Sequence, residues 1–356
     1  MIYYVVLALL VALALPSDRA SRPTRETLAL LLLLLFGGLR DEVGTDWFAY
    51  QGVFDAVAIG EPFDTFREEN GFLAVVAGAA AIGGYGTFVF LLFAFSLGVK
   101  ALAVKLYRVE LNAALLIYFS AIFLIYDVNG LRQGLAIALV LLAGWAAYRG
   151  YALRFAGAMA LATSMHMIAL VALPMYVLTK TLFFLRDPWK RAGLLLVGCV
   201  MSYFAANAIS VSNLSGYLEV VNLLDRYDYY IDQFASSFNP LGPGSLQRVL
   251  VALVVVFMID SVRAPQRLKA FLYNAHAAAL LIYFLLSFNL EVMARVSFYY
   301  KCFDLITLPL ILAAQPSAER RLLFVGFIAV AALAQVFQIL SIPDGGLLPY
   351  RSPLWP

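Results

Sequence analysis

The sequence predicts an all-α, polytopic transmembrane helix bundle of about twelve spans. Three observations carry that prediction. Apolar residues make up 63% of the 356 positions and charged residues only 13%. That is about half the ~25% charged share of an ordinary soluble domain, and too little polar surface to cover a globule of this size. The apolar runs, such as Leu28–Phe36 and Val249–Met258, are continuous, whereas a transmembrane barrel alternates apolar and polar positions. The basic residues gather in every second connection, the pattern of a positive-inside membrane protein. A cytosolic enzyme, a nucleic-acid binder and a disordered chain are excluded, and a net charge of +3 does not imply nucleic acid as a partner.

The expected spans are 2–15, 27–39, 85–104, 111–126, 131–148, 152–165, 167–184, 192–210, 246–262, 270–288, 296–314 and 322–341. A span needs about 20 apolar residues, fewer where the bilayer thins. The first lacks a basic leader and reads as a retained span, not a cleaved signal peptide. The stretch 71–83 is apolar but short and rich in Gly and Ala, which suits a re-entrant or interfacial helix. Seventeen of the 25 basic residues, among them Arg25, Lys100, Arg149, Arg191, Arg263 and Arg320, fall in one set of connections if these spans alternate. That side is the cytoplasm, and both termini then lie outside. The chain reads as a single integral membrane domain, 1–356, with long outer loops at 40–84 and 211–245. Cys199 and Cys302 sit in apolar runs and read as inert core thiols. Two cysteines and two histidines make a zinc site implausible. No Gly-rich phosphate loop or DxD motif occurs, so the expectation is no cofactor and no metal.

Charges at the edge of hydrocarbon are costly and mark functional sites by default. Those on the outer side are Arg40, Asp41 and Asp46 after the second span, Asp127, Arg132 and Gln133 between the fourth and fifth, His166 between the sixth and seventh, and Glu291 and Arg295 between the tenth and eleventh. Any one arginine there can simply snorkel to headgroups. Arg40, Arg132 and Arg295 together, against the positive-inside bias, point to an anionic ligand such as a lipid diphosphate. Glu291, Arg295 and Tyr299 are spaced i,i+4, which places them along one helix face. His276 reads as a satisfied core histidine. Tyr227 and Tyr230 of the second loop fit either an interfacial belt or a stacking platform for sugar rings.

These residues form a recognisable series. The run Gly38–Tyr50 (GLRDEVGTDWFAY) resembles the signature of the EpsG family of Wzy-like polysaccharide polymerases. Glu69-Asn70-Gly71-Phe72 is similar to that family's Glu-Pro-Gly-aromatic step, with Asn70 where the family has proline. Asn129–Leu135 resembles its Arg-Gln span start, Ser164-Met165-His166 its histidine element, and Arg295 with Tyr299 and Leu308-Pro309 its late Arg-Tyr span. The resemblance runs over nearly the whole chain. It implies a membrane glycosyltransferase, compatible with a GT-C-like arrangement, at the outer face of the bacterial inner membrane. Its substrate would be a polyprenyl-diphosphate-linked oligosaccharide repeat unit, and its product an exopolysaccharide, capsule or O-antigen. Partners implied are membrane lipid, a flippase and a chain-length regulator. A base must deprotonate the acceptor hydroxyl; the candidates are Asp46, Glu69 and His166, in that order. Arg40, Arg132, Gln133, Arg295 and Tyr299 would bind the diphosphate, and Tyr50, Glu291, Tyr227 and Tyr230 the glycan. The competing functions are a flippase or transporter of lipid-linked oligosaccharide and an O-antigen-type ligase. Against a transporter stand the absence of an internal repeat and charges gathered at one lip, not at the midplane.

Overall fold

The computed structural model describes residues 1–16, 18, 20–179, 187–208, 239–287, 290–342 and 345–353, with side chains omitted at 207–208 and 290–293. Among the described residues the fold is all-helical. Six stretches are long and apolar enough to cross a membrane: Tyr85–Leu106, Leu131–Arg149, Pro243–Ser261, Gln266–Leu285, Ala294–Ala313 and Ala318–Leu340. Shorter apolar helices stand at several of the other expected spans, including Ile2–Ala14, Leu111–Asp127 and Ala152–Met165. The chain is therefore a multi-pass membrane protein; among the described residues six spans reach full length, where the sequence leads to an expectation of about twelve. The chain divides into two compact units, Met1–Leu173 with Asp304–Pro356, and Pro174–Phe303.

The first unit opens with α1 (Ile2–Ala14) and α2 (Arg22–Gly38). Two short helices follow, α3 (Trp47–Ala58) and α4 (Asn70–Ala80), the second of them in the place expected for a re-entrant or interfacial helix. Next come α5 (Tyr85–Leu106) and α6 (Leu111–Tyr118), and α6 runs directly into a π-helical segment, Phe119–Asp127. Widened π turns recur at functional sites. The helix α7 (Leu131–Arg149) ends on Gly150, whose φ of 80° gives the left-handed C-cap. It packs on both α5 and α8 (Ala152–Met165). His166 is extended and breaks α8 from a 3₁₀ turn, Met167–Ala172.

The second unit holds α9 (Met175–Leu178), α10 (Pro188–Ala208), α11 (Pro243–Met258), α12 (Gln266–Leu285) and α13 (Leu290–Lys301). Its core joins Leu195 and Cys199 of α10, Val256 of α11 and Tyr273, Leu280 and Phe284 of α12. Arg191 is a correction to the reading of it as a loop charge: its side chain is fully buried in α10 and pairs with Asp260. His276 lies 2.7 Å from the Leu272 carbonyl, a local contact in keeping with a core histidine.

The first unit closes with α14 (Asp304–Ala313) and α15 (Ala318–Leu340), the latter N-capped by the Ser317 hydroxyl. Residues 345–353 then return across the start of the unit. The Asp41 N–H donates to Arg351 O (3.0 Å) and the Gly44 N–H to Gly346 O (2.7 Å). The Tyr350 ring stacks on Phe36 at 4.4 Å while its hydroxyl donates to the Phe36 carbonyl (2.7 Å). This segment buttresses the 40–46 turn, and nothing in the sequence pattern announced it.

Candidate active site

Three elements distant in sequence converge on one charged cluster in the first unit. Glu69 caps α4 with an extended backbone, and Asn70 takes the first helical position. That position tolerates proline because its N–H needs no helical partner, so asparagine in the motif leaves the helix start where a proline would set it. Arg132 stands in the first turn of α7 and His166 at the end of α8. The Arg132 Nη1 lies 2.6 Å from Glu69 Oε2, and its Nη2 lies 3.8 Å from Glu68. The other Glu69 oxygen accepts the Met167 N–H at 2.9 Å and faces His166 Nδ1 at 3.5 Å.

Gly71 makes this approach possible. A Cβ there would meet the Ser164 hydroxyl at 2.5 Å and the Ser164 carbonyl at 2.7 Å. Only a bare backbone lets α4 seat against the end of α8, which brings Glu69 to His166. Two aromatic rings frame the guanidinium. Arg132 lies 6.0 Å from the Tyr50 ring centre and 5.9 Å from that of Phe72, and its Nε donates to the Tyr50 hydroxyl at 3.5 Å.

The Glu69 carboxyl is pushed down to about 2: burial alone would raise it, but His166, Arg132 and the Met167 N–H together outweigh burial. It is ionised throughout the physiological range. A carboxylate that acidic is a poor proton acceptor by itself. It is well suited to orient an imidazole and to hold a guanidinium until an anion takes it.

The other sequence candidates fall in different places. Asp46 stands at the N-cap of α3 and accepts the Thr45 hydroxyl at 3.2 Å; its side chain makes no capping bond to that helix. The Thr45 N–H donates to Asn129 Oδ1 at 3.0 Å, which ties the Gly-Thr-Asp turn to the turn preceding Arg132. Arg40 is not in the cluster. It is buried, donates to the carbonyls of Gly37 and Asp127, and lies over the Trp47 ring. Its guanidinium serves the backbone, where the sequence reading put it at an outer lip facing an anion. Gln133 is buried in the first turn of α7. Arg295 and Tyr299 lie one turn apart on α13 of the second unit, with Tyr299 fully buried. The Glu291 side chain, Tyr227 and Tyr230 lie outside the described residues.

Sequence reasoning missed two neighbours of Arg132: Glu68, which flanks the Glu69–Phe72 motif, and Phe72, which ends it. It also misread Lys100. Counted there as a cytoplasmic loop charge, Lys100 is buried within α5 and pairs with Asp127 at 2.9 Å. Among the described residues no cluster of His, Cys, Asp or Glu could hold a metal ion.

A model of the EpsG family matches residues 27–352. No curated protein and no solved structure matches the chain.

Proposed function

The chain belongs to the EpsG family of Wzy-like, polysaccharide-polymerase-type membrane proteins, and from that premise we propose that it polymerises polyprenyl-diphosphate-linked oligosaccharide repeat units at the outer face of the bacterial inner membrane. The observation that carries this reading is the convergence of Arg132, Glu69 and His166 beside Tyr50. One guanidinium, one imidazole and one carboxylate are the parts that a glycosyl transfer with a diphosphate leaving group needs.

In the proposed reaction an acceptor sugar hydroxyl attacks the anomeric carbon of the donor. The new C–O bond forms as the bond from the anomeric carbon to the diphosphate oxygen breaks, and the electron pair leaves with the lipid diphosphate. His166 takes the hydroxyl proton; imidazole is the side-chain type matched to proton transfer near neutral pH. Glu69 orients that imidazole and balances its charge once protonated. Arg132 receives the departing diphosphate through its planar fork of donors, and charge fixed in place before the reaction supplies much of the rate enhancement in many enzymes. The order of candidate bases is thereby His166 with Glu69 first and Asp46 second. Asp46 keeps its place because its turn is bonded to the one that leads into Arg132.

The test is turnover of the purified protein on lipid-linked repeat units. A ladder of products supports polymerisation. A single transfer indicates a ligase, and a change of sidedness without new bonds indicates a flippase; either overturns the proposal. His166→Gln should abolish the ladder while leaving thermal stability within a few degrees.

A further inference from the structure

Directly behind the turn that carries Arg132 lies a buried polar node that the proposed reaction does not use. The side chains of Lys100 and Asp127 are 2% and 3% exposed. The Lys100 ammonium donates to Asp127 Oδ1 (2.9 Å), to the Gly134 carbonyl (2.9 Å) and to the Ser96 hydroxyl. Ser96 in turn donates to Asp127 Oδ1 at 2.7 Å, and the Tyr118 hydroxyl donates to Oδ2 at 2.9 Å. The main-chain carbonyl of Asp127 accepts Arg40 Nη2 at 3.1 Å. Gly134 is required here, since a Cβ would stand 2.6 Å from Asp127 Oδ1 and 2.8 Å from the Tyr126 carbonyl.

One ammonium thus grips both ends of the segment 127–134, at a carboxylate and at a carbonyl. Between them lie Asn129, which holds the Thr45 N–H, and Arg132, which meets Glu69. Burying two charges carries a desolvation cost, and apolar side chains of similar volume commonly stabilise such a site at least as well. A charged pair inside apolar helices therefore calls for a role other than stability.

We infer that Lys100 and Asp127 are positioning residues that fix the 127–134 turn and hold the Arg132 guanidinium in its diphosphate-binding pose. The inference rests on the assignment of Arg132 proposed above. The π segment fits it. Ending α6 in a widened turn sets the Asp127 carboxylate against α5 and the start of α7 together, where an uninterrupted α-helix would carry it round by a different angle.

The test is a double-mutant cycle, which separates residues acting as a unit from independent ones. The probe is farnesyl diphosphate, titrated calorimetrically against the protein in lipid nanodiscs, with farnesol as the control lacking the anion. Arg132→Ala should weaken binding at least tenfold. Asp127→Asn should weaken it by a comparable factor, and the double variant should bind within threefold of Arg132→Ala alone. Tyr118→Phe removes one bond to Asp127 and no charge, so it should show a smaller loss that likewise vanishes in the Arg132→Ala background. It serves equally if Asp127→Asn does not fold. Losses that multiply in the double variants overturn the inference, as does wild-type affinity in the folded single variants of the node. Wild-type affinity in Arg132→Ala by itself overturns the diphosphate assignment, and that outcome is visible before any node variant is made.

Discussion

Replacing Glu69 by glutamine should move binding and turnover in opposite directions. In the resting site the carboxylate lies 2.6 Å from Arg132 Nη1, so an incoming diphosphate must take the guanidinium from it. Once bound, the anion would stand about 6 Å from the carboxylate; at an effective dielectric of about 20–40 the repulsion is roughly 1.4–2.8 kcal/mol. The amide removes that repulsion. Affinity for farnesyl diphosphate should therefore rise about ten- to a hundredfold. Turnover should fall, because the amide can neither balance a protonated His166 nor orient it as a charged acceptor. A hydrogen bond to a charged group contributes about 1.5–3 kcal/mol, so the loss in kcat is about ten- to 150-fold. The assay pairs nanodisc calorimetry with single-turnover kinetics on the lipid-linked repeat unit. Weaker binding, or unchanged turnover at normal expression, would refute the assignment of Glu69 as the group that shares Arg132 with the substrate.

Further outcomes follow from the same geometry. The lowered Glu69 carboxyl contributes stability that is complete above its unfolded value of 4.5 and lost as pH falls towards about 2; denaturation of the detergent-solubilised protein between about pH 5 and 2 should show that loss, and Glu69→Gln should flatten it. Gly71→Ala should drive α4 from α8 at a cost of about 1–3 kcal/mol, with turnover falling more than stability because Glu69 and His166 are separated; a fully active variant would mean the contact at Ser164 relaxes freely. Asp46→Asn should retain most turnover, since the amide still accepts the Thr45 hydroxyl, and loss of polymer at unchanged melting temperature would move the base to Asp46. Tyr350→Ala removes a hydrogen bond and a ring stack on Phe36, together about 2 kcal/mol, and faster hydrogen exchange at 40–46 is the signature to measure.

Much of the fold was legible because a bilayer imposes long apolar runs and forces internally bonded helices. Every one of those runs in the first 173 residues reappears as helix, including the short one at Asn70–Ala80. The family, and with it Arg132, Glu69 and His166 as residues of interest, was also readable, because short motifs around charged residues survive as patterns along the chain. What the sequence could not supply was which charges meet. Arg40 and Arg132 look alike as arginines at the lip of a span, yet one is buried on backbone carbonyls and the other faces two carboxylates. Lys100 looks like a loop cation by its place in the charge pattern, yet it is buried against Asp127. The reason is physical. Hydropathy and charge bias are sums over a segment and fix where a helix lies, whereas the partner of a charge depends on helix rotation and on close approach. Those were decided in three dimensions, by a π segment that shifts Asp127, by glycines at 71 and 134 that admit neighbours a side chain would exclude, and by a returning segment at 345–353 that holds the Gly-Thr-Asp turn from more than 300 residues away.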